Sequence, residues 1–519
     1  MFCSTRSRVR RGVLVVLAAA LAAGATTASA GAAVAAKDQV DKAAVLRFGV
    51  PFEDQGGPFF NPQSPRATAN PTPRMWLDLI YGTMIIQTAD GKGAPGLATE
   101  WSTPDANTVE LTLRDGVKFS DGTPFNADAV VAAWTNLING TRPNKSTDIQ
   151  AISAVEKVAD NKVRIRLSKP VASNFVNDAL KNATHLGVPS PTAAAKQDLD
   201  AAPVGAGPYQ FKSYSTGKVV LEKNPTYYDK KVQKLAGVEF DDVAIGPPGV
   251  SALQAGTVDA IWSFPPDAVQ TIEASPGLEV FSAPSARQFQ LSLCPTQGLF
   301  ANQKARQALQ YAIDRTAIND AALDGTGAPG TLVLTSNSPY YDKKLAKTVK
   351  FDLKKAKALL KEAGVAPGTT VSVLVPAQPP YDAISDVVQS QLEAAGLAPE
   401  ITKTTSYASD AARIKPDMAV VSLDPSLFNL VFDGESPLNF CGWSDPEVVA
   451  ALNATKDPTK SEAELKQAWA DFQKIALDRS ANIVTNLQGL LVAHTDKVKG
   501  LTIVNAPYGP QLYGVSMTK

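Results

Sequence analysis

The chain has 519 residues, of which 44% are hydrophobic and 19% charged, as is typical of a globular protein with two or three domains and large buried cores. Fifty basic residues balance 50 acidic ones, so the formal net charge is zero. We find no basic stripe and expect no nucleic-acid partner.

Residues 1–36 have the pattern of a secretory signal peptide. Four arginines precede a short apolar run, Val13 to Ala23, and small residues follow, with candidate cleavage sites after Ala30 and Ala36. Cleavage removes these four arginines and leaves 46 basic against 50 acidic residues, a net charge of −4. We expect an exported protein of the cell envelope or periplasm, with no lipid anchor because no cysteine follows the apolar run. A membrane anchor and twin-arginine export remain open.

Two cysteines, Cys294 and Cys441, remain after cleavage because Cys3 lies in the leader. An even number of cysteines in an oxidising compartment favours a disulfide between them. The alternative is a pair of buried free thiols.

The first predicted elements are a strand over Val45–Val50 and a helix over Arg74–Gln87, in which apolar residues recur about one turn apart. The stretch from Gly96 to Trp134 then has a helix-like start, an alternating strand from Val109 to Leu113 and two Asp-Gly turns. Asn126 or Asp128 is expected to cap the helix that follows.

Parts of this stretch resemble a long signature of the family 5 extracytoplasmic solute-binding proteins, the peptide, nickel and related receptors of ABC importers. The matching segments are residues 97–101 (LATEW) and 112–131 (TLRDGVKFSDGTPFNADAVV). Further blocks match in order at residues 204–209 (VGAGPY), 224–228 (NPTYY), 253–262 (LQAGTVDAIW), 306–315 (RQALQYAIDR) and 439–448 (NFCGWSDPEV).

The resemblance implies an α/β fold of the two-lobe, periplasmic-binding-protein type (type II), with an extra subdomain in lobe one and closure on a hinge. It implies lobe one over residues 37–284, with residues 495–519 returning to it, and lobe two over residues 285–494. The strand containing Phe289 would be the first of two hinge crossings.

Lobe two is expected to contain a helix capped by Asp352, a strand over Val371–Val375 and a helix over Val387–Ala395. Ligands of parallel α/β sheets bind at loops that follow strand ends. Gln378 and Tyr381 lie in such a loop and are candidate ligand contacts. The other candidates are Trp262, Phe289, Ser422 and Tyr81; a core role is the alternative for Trp262 and Tyr81, and backbone shielding for Tyr381.

The segment from Asp417 to Asn439 departs from the peptide receptors, which resemble Trp-x-x-Asp-x-x-Asp-Pro here. Asp424-Pro425 is retained, but Met418 replaces the tryptophan and Val421 replaces the aspartate that pairs with a peptide's α-ammonium. A buried ammonium without a carboxylate partner is costly. The resemblance therefore implies a ligand that is not anchored by a free amino terminus.

No catalytic or metal-binding constellation is recognisable. The two histidines, His185 and His494, lack cysteine or carboxylate neighbours at metal-ligand spacing, so we expect no metal and no cofactor, although a nickel chelate remains open as a ligand. The absence of a Ser/Cys/His constellation argues against an enzyme, including a hydrolase that has adopted this fold.

We therefore expect a monomeric solute-binding receptor of an ABC importer. It would capture a small solute, oligopeptide-like or otherwise uncharged or mixed apolar, between two lobes and deliver it to a membrane permease. The alternative is a ligand-sensing or adhesion protein that uses the same fold without import.

Overall fold

The structure is a computed structural model. It describes residues 39–53, 56–64, 72–88, 92–140, 147–170, 172, 175–182, 186–196, 198–262, 264–336, 338, 340–423, 431–432, 434, 436, 439–457, 460, 462–503 and 509–519. The predicted signal peptide, His185 and Asp424-Pro425 lie outside these ranges. None of the helices in these ranges combines the length and apolarity needed to cross a membrane.

The strands lie as follows: β1 Val45–Val50, β2 Ile85–Gln87, β3 Gly93–Pro95, β4 Ala98–Asp105, β5 Thr108–Leu113, β6 Ile152–Ala159, β7 Lys162–Leu167, β8 Tyr209–Ser215, β9 Lys218–Lys223, β10 Gly237–Asp242, β11 Ala260–Trp262, β12 Leu278–Leu293, β13 Ala328–Pro329, β14 Thr369–Pro376, β15 Leu397–Thr404, β16 Met418–Leu423, β17 Asn482–Thr495, β18 Val498–Lys499, β19 Thr502–Ile503, β20 Pro510–Gln511 and β21 Ser516–Met517.

The α-helices lie as follows: α1 Arg74–Tyr81, α2 Ala127–Asn139, α3 Thr147–Ala151, α4 Leu180–Asn182, α5 Pro191–Ala195, α6 Pro247–Gln254, α7 Val269–Glu273, α8 Gln303–Ala312, α9 Arg315–Ala322, α10 Lys343–Ala346, α11 Leu353–Glu362, α12 Tyr381–Ala395, α13 Tyr407–Ile414, α14 Pro446–Ala454 and α15 Glu462–Arg479. A π-helix spans Phe175–Ala179, and short 3-10 helices span Pro266–Ala268 and Leu299–Ala301.

An 11-stranded sheet connects the two halves of the described molecule. Its strand order is β15-β14-β16-β12-β17-β11-β1-β10-β9-β8, with β13 also paired to β17. β1 is parallel to β10 and β11 on one side, and β14 is parallel to β15 and β16 on the other. The half that contains β1 is lobe one, and the half that contains β14 is lobe two.

Lobe one also carries the expected extra subdomain, a four-stranded sheet of order β4-β5-β7-β6. Helix α2 packs on it through buried residues such as Val130 and Trp134, and its N-terminus is capped by Asn126, whose side chain accepts a hydrogen bond from Ala129 N. The helix-like start predicted for Gly96–Trp101 is wrong: this segment enters β4, because Ala98 and Trp101 pair with Leu113 and Leu111 of β5.

The helix predicted over Arg74–Gln87 is too long. Helix α1 ends at Tyr81 because Gly82 follows in a backbone conformation with φ of 71°, which ends the helical hydrogen bonding. The chain then forms β2, paired to β3, with Ile85 fully buried against the subdomain core.

Lobe two has the expected strand–loop–helix pattern, but the helix predicted over Val387–Ala395 begins earlier: α12 starts at Tyr381, which therefore lies on the helix and not in the loop. Asp352 caps α11 by accepting a hydrogen bond from Lys355 N, and Gly396 in the left-handed region ends α12. The apolar faces of α8, α11 and α12 pack on the sheet; their core includes Leu309, Leu360 and Val388.

β12 and β17 cross from one lobe to the other as an antiparallel pair. Their register shifts between the pairs Pro284–Gly489 and Gln288–Leu487, so three residues of β12 face one residue of β17. We call residues 284–288 of β12 and 487–489 of β17 the crossing. Gly489 is required there because a Cβ would lie 2.3 Å from the carbonyl oxygen of Thr326, which packs over the strands.

Candidate functional site

The crossing is bounded by the carboxyl ends of strands from both lobes. β11 ends at Trp262, which is opposite Val492, and β16 ends at Leu423, which is opposite Gln288. β11 is antiparallel to β17, and β16 is antiparallel to β12. Because β12 and β17 are themselves antiparallel, β11 and β16 run toward each other. Five residues of β17 separate Val492 from Leu487, the partner of Gln288, which corresponds to about 17 Å at the usual strand rise. Parallel sheets bind ligands at such strand ends.

Candidate residues from both lobes lie on the same face of the sheet. Side chains alternate along a strand, so Val492, Leu490 and Asn486 of β17 share a face. Trp262 is opposite Val492, and Phe289 is opposite Asn486. The two predicted aromatic contacts therefore lie on one face, on either side of the crossing.

Three candidates come together in lobe two. Phe289 is directly opposite Ser422, and its ring packs edge-on against Tyr381 with the centroids 5.6 Å apart. Phe289 is 1% exposed, whereas Tyr381 and Ser422 are half-buried. The hydroxyl oxygen of Ser422 is buried and has no hydrogen-bond partner among the described residues. This corner thus places an aromatic edge beside a buried hydroxyl that has no described partner.

Gln378 lies at the same end of lobe two, in the loop from β14 to α12. Its side chain is exposed, and its backbone carbonyl accepts a hydrogen bond of 3.0 Å from Tyr381 N. The loop contains a cis peptide bond between Pro379 and Pro380. The side chain of Gln378 is therefore exposed at this end of lobe two, and its contact with a ligand stays a prediction.

Trp262 lies at the end of lobe one's sheet and is largely covered. It is 8% exposed and belongs to the lobe-one core, and the ring packs close to the backbone of Gly509. Its indole N–H is buried and has no acceptor within the described part of the chain. A buried donor without an acceptor is costly, so this group favours the arrival of an acceptor from a ligand or from neighbouring chain.

Tyr81 has a different environment from the other candidates. It is 1% exposed, and its hydroxyl donates a hydrogen bond of 2.8 Å to the carbonyl oxygen of Phe60. Burial raises the pKa of this phenol well above its usual value, and the carboxylate of Asp200 adds to the effect. This placement fits the structural alternative and does not support contact with a ligand.

The sequence did not point to three buried amides at the crossing. Gln290 is 1% exposed, its Nε2 donates to Gln288 Oε1 at 3.1 Å, and its Oε1 has no partner among the described residues. Asn486 Oδ1 also has no hydrogen-bond partner among the described residues, whereas Asn486 Nδ2 donates to the carbonyl of Arg315. The sequence alternates Gln288 and Gln290 with Phe289 and Leu291. This pattern would ordinarily place the two glutamines on a solvent-facing side of the strand.

A buried cation lies behind this face. Arg315 donates from Nε to the carbonyl of Val484 at 2.8 Å and from Nη2 to Gln310 Oε1 at 2.8 Å. Burial lowers its pKa to about 10, and Asp314 opposes that effect. The guanidinium is held by neutral oxygens, which compensate its burial through hydrogen bonds rather than through an ion pair.

The predicted disulfide is present and lies at the end of β12 and β16 that is remote from Ser422. Cys294 and Cys441 are joined across 147 residues, with their Cα atoms 5.5 Å apart. Cys294 follows β12 directly, and Cys441 follows the segment that leaves β16 after Leu423. The bond therefore ties Cys441 to the end of β12, beside the start of β16.

The departure from the peptide-receptor pattern lies on β16. Met418 is fully buried in the lobe-two core, and Val421 pairs with Gln290 on the face opposite to Ser422. His494 is buried in β17, where its Nδ1 is 2.9 Å from the carbonyl of Thr495. Within the described residues, no group of three or more histidine, cysteine or carboxylate side chains is arranged to hold a metal ion.

Comparisons with known proteins agree with this geometry. The family model for bacterial extracellular solute-binding proteins, family 5, matches residues 92–430. The glutathione-binding protein GsiB of Escherichia coli (strain K12) is 26% identical over 430 residues, which are 77% of this chain and 81% of that protein.

Solved structures show the same fold. The substrate-binding protein CtaP of an ABC transporter from Listeria monocytogenes superposes with a TM-score of 0.77 at 22% identity, covering 92% of this chain and 100% of CtaP. The open, unliganded form of the periplasmic murein tripeptide binding protein MppA superposes with a TM-score of 0.78 at 18% identity, covering 92% and 98%. The matched family model spans more than half of the sequence, and the two-lobe sheet and the crossing are those expected of its fold. The chain therefore belongs to the family 5 bacterial extracellular solute-binding proteins, the substrate receptors of ABC importers.

Proposed function

We propose that this receptor captures an uncharged or mixed apolar, peptide-like solute at the crossing and delivers it to a membrane permease. The observation that carries the ligand class is a set of buried polar atoms that have no partner among the described residues and lie on the same face as the two aromatic side chains: Trp262 Nε1, Ser422 Oγ and Asn486 Oδ1. These are one clear donor, one amide oxygen and a hydroxyl, a pattern that complements the N–H and C=O groups of amides.

The relatives support the same class. One is named for glutathione and another for a murein tripeptide, both of which are short peptides. Val421 occupies the position where peptide receptors are expected to hold an aspartate, and no carboxylate replaces it on β16. We infer that the ligand is held by its amide groups and apolar parts rather than by a free amino terminus.

The proposed ligand contacts are Trp262 on lobe one and Phe289, Tyr381, Ser422 and Gln378 on lobe two. We propose hinge closure as the mechanism, with lobe one formed by residues 37–284 and 495–519 and lobe two by residues 285–494. Separate apolar cores on the two sides support this division. A ligand that contacts both lobes stabilises the closed state by its differential affinity for that state.

The test is a thermal-shift and calorimetry panel on the mature protein. The panel contains a tripeptide acetylated and amidated at its ends, the same tripeptide with free ends, reduced glutathione and a nickel–histidine complex. We expect the blocked tripeptide to bind at least as tightly as the free one; a ligand at 100 times its Kd adds about 2.7 kcal/mol to the unfolding free energy.

Two variants link binding to the crossing. Tyr381→Ala should weaken binding about tenfold, whereas Tyr311→Ala, a half-buried tyrosine on α8, should leave affinity unchanged. Binding of free-ended peptides or glutathione alone would show that a charged terminus anchors the ligand and would overturn the uncharged class. Binding that responds equally to both variants would move the site away from the crossing.

A further inference from the structure

A lysine-rich surface lies on lobe two. Residues 343–361 contain eight lysines and one acidic residue, Asp352, in a chain whose formal net charge is zero. The expectation of no basic stripe is therefore wrong for this stretch. We define the lysine surface as Lys343, Lys344, Lys347, Lys350, Lys354, Lys357 and Lys361, together with Phe351.

These seven lysines are exposed in the part of the chain that the structure describes, in a stretch flanked by Asp342 and Glu362. None of them forms an ion pair there, whereas nearby Lys304 pairs with Glu362 at 2.9 Å. The single carboxylate in the stretch, that of Asp352, accepts a hydrogen bond of 2.9 Å from Lys355 N as the cap of α11. The positive charge is thus left facing solvent.

Helix α11 arranges three of the lysines on one side. Lys354, Lys357 and Lys361 recur at helical spacing and share a face, while Ala356 and Leu360 on the other face are buried in the lobe-two core. Lys355 differs, because its ammonium lies 3.8 Å from the ring centroid of Tyr311 and is engaged there.

An exposed aromatic residue accompanies the lysines. Phe351 directly precedes α11 and is 48% exposed, one of the few large apolar side chains with this exposure among the described residues. A cluster of lysines with an adjacent exposed aromatic ring fits the headgroup region of an anionic bilayer, where lysines meet phosphates and the ring enters the acyl boundary. An acidic protein partner would account for the lysines but would leave the ring without a specific role.

We propose that the lysine surface binds anionic phospholipid headgroups and holds the receptor at the membrane in which its permease lies. Attraction of this kind is additive over the lysines near the surface and is screened by salt. It is independent of the solute and of the crossing, so it can be tested separately from the proposed ligand class.

The test measures cosedimentation of the mature protein with vesicles of phosphatidylcholine alone or with 30% phosphatidylglycerol. We expect binding only to the anionic vesicles, with loss of binding as NaCl rises from 50 to 300 mM. Lys354→Gln, Lys357→Gln and Lys361→Gln together should lower the partition coefficient about 100-fold, because each lysine contributes about fivefold. Phe351→Ser should lower it several-fold.

The matched control removes three exposed lysines of lobe one, with Lys42→Gln, Lys118→Gln and Lys234→Gln. It changes the net charge equally and should keep most of the binding. An equal loss of vesicle binding in both triple variants would show that binding depends only on the overall charge of the protein, and would overturn the proposal. Absence of binding to anionic vesicles, with binding to vesicles that contain the permease, would assign the surface to the permease instead. Unchanged melting temperatures and solute affinities establish that the variants are folded.

Discussion

The two sides of the crossing offer a ligand different chemistry. Lobe one presents Trp262, which is set in an apolar core and covered at Gly509, with a single buried N–H. Lobe two presents a half-buried tyrosine edge, a hydroxyl and an amide oxygen, next to a segment that ends at a disulfide. We propose that lobe one supplies a general apolar wall and that lobe two selects the ligand.

The largest expected effect is the loss of stability on removing the disulfide, which distinguishes lobe two from lobe one. Replacing both Cys294 with Ala and Cys441 with Ser should lower the free energy of unfolding by up to about 5 kcal/mol, since the bond closes a loop of 147 residues. Chemical denaturation of the variant and of the wild type with and without reductant measures the change. A wild-type midpoint unaffected by reductant would support the free-thiol alternative.

Trp262→Phe tests the lobe-one side. The ring is retained but the donor is lost, so ligand affinity should fall about tenfold, or about 1.4 kcal/mol, while stability falls by about 1 to 2 kcal/mol because the ring is smaller. The control is Trp76→Phe, whose indole donates to the carbonyl of Phe59 at 3.0 Å. The control should lose stability without losing affinity; loss of affinity in both would make Trp262 a core residue only.

Ser422→Ala tests the lobe-two side with a smaller change. The hydroxyl has no described partner, so stability should stay level or rise slightly, and affinity should fall about fivefold if the hydroxyl contacts the ligand. Ser372→Ala is the control, because that hydroxyl donates to Asp417 at 2.8 Å and its loss should cost about 1 kcal/mol of stability. Calorimetry that finds unchanged affinity in Ser422→Ala would remove this residue from the site.

The smallest effect concerns acid stability and lobe one's extra subdomain. Hydrogen bonds from Lys162 and then Arg164 hold the pKa of Glu110 below its ordinary value of 4.5. Because the folded-state pKa is depressed, this stabilisation is present above pH 4.5 and is lost as pH falls through the lowered value. Glu110→Gln should make the melting temperature depend less on pH between about pH 5 and 3. An unchanged slope would show that other carboxylates dominate.

Much of the fold was predictable because the local sequence signals agreed with the conformations found in the tertiary structure. The Asn126 and Asp352 caps, the strand over Val371–Val375 and the family signature were all legible from side-chain chemistry and spacing. At Gly96–Trp101, pairing with β5 overrode a helix-like local pattern; after Tyr81, the helix ended at Gly82 and the chain then paired with β3.

The sequence by itself determined the family and the two-lobe class and favoured the cysteine pairing, because these depend on residue types in a fixed order. It also placed Phe289, Tyr381 and Ser422 on separate segments without relating them. Only the tertiary structure decided that Phe289 faces both Ser422 and Tyr381, that Tyr81 is internal and that Gln290 is buried with an unpaired oxygen. The physical reason is that strand register and the crossing of β12 with β17 are set by contacts between residues about 200 positions apart, which local spacing does not encode.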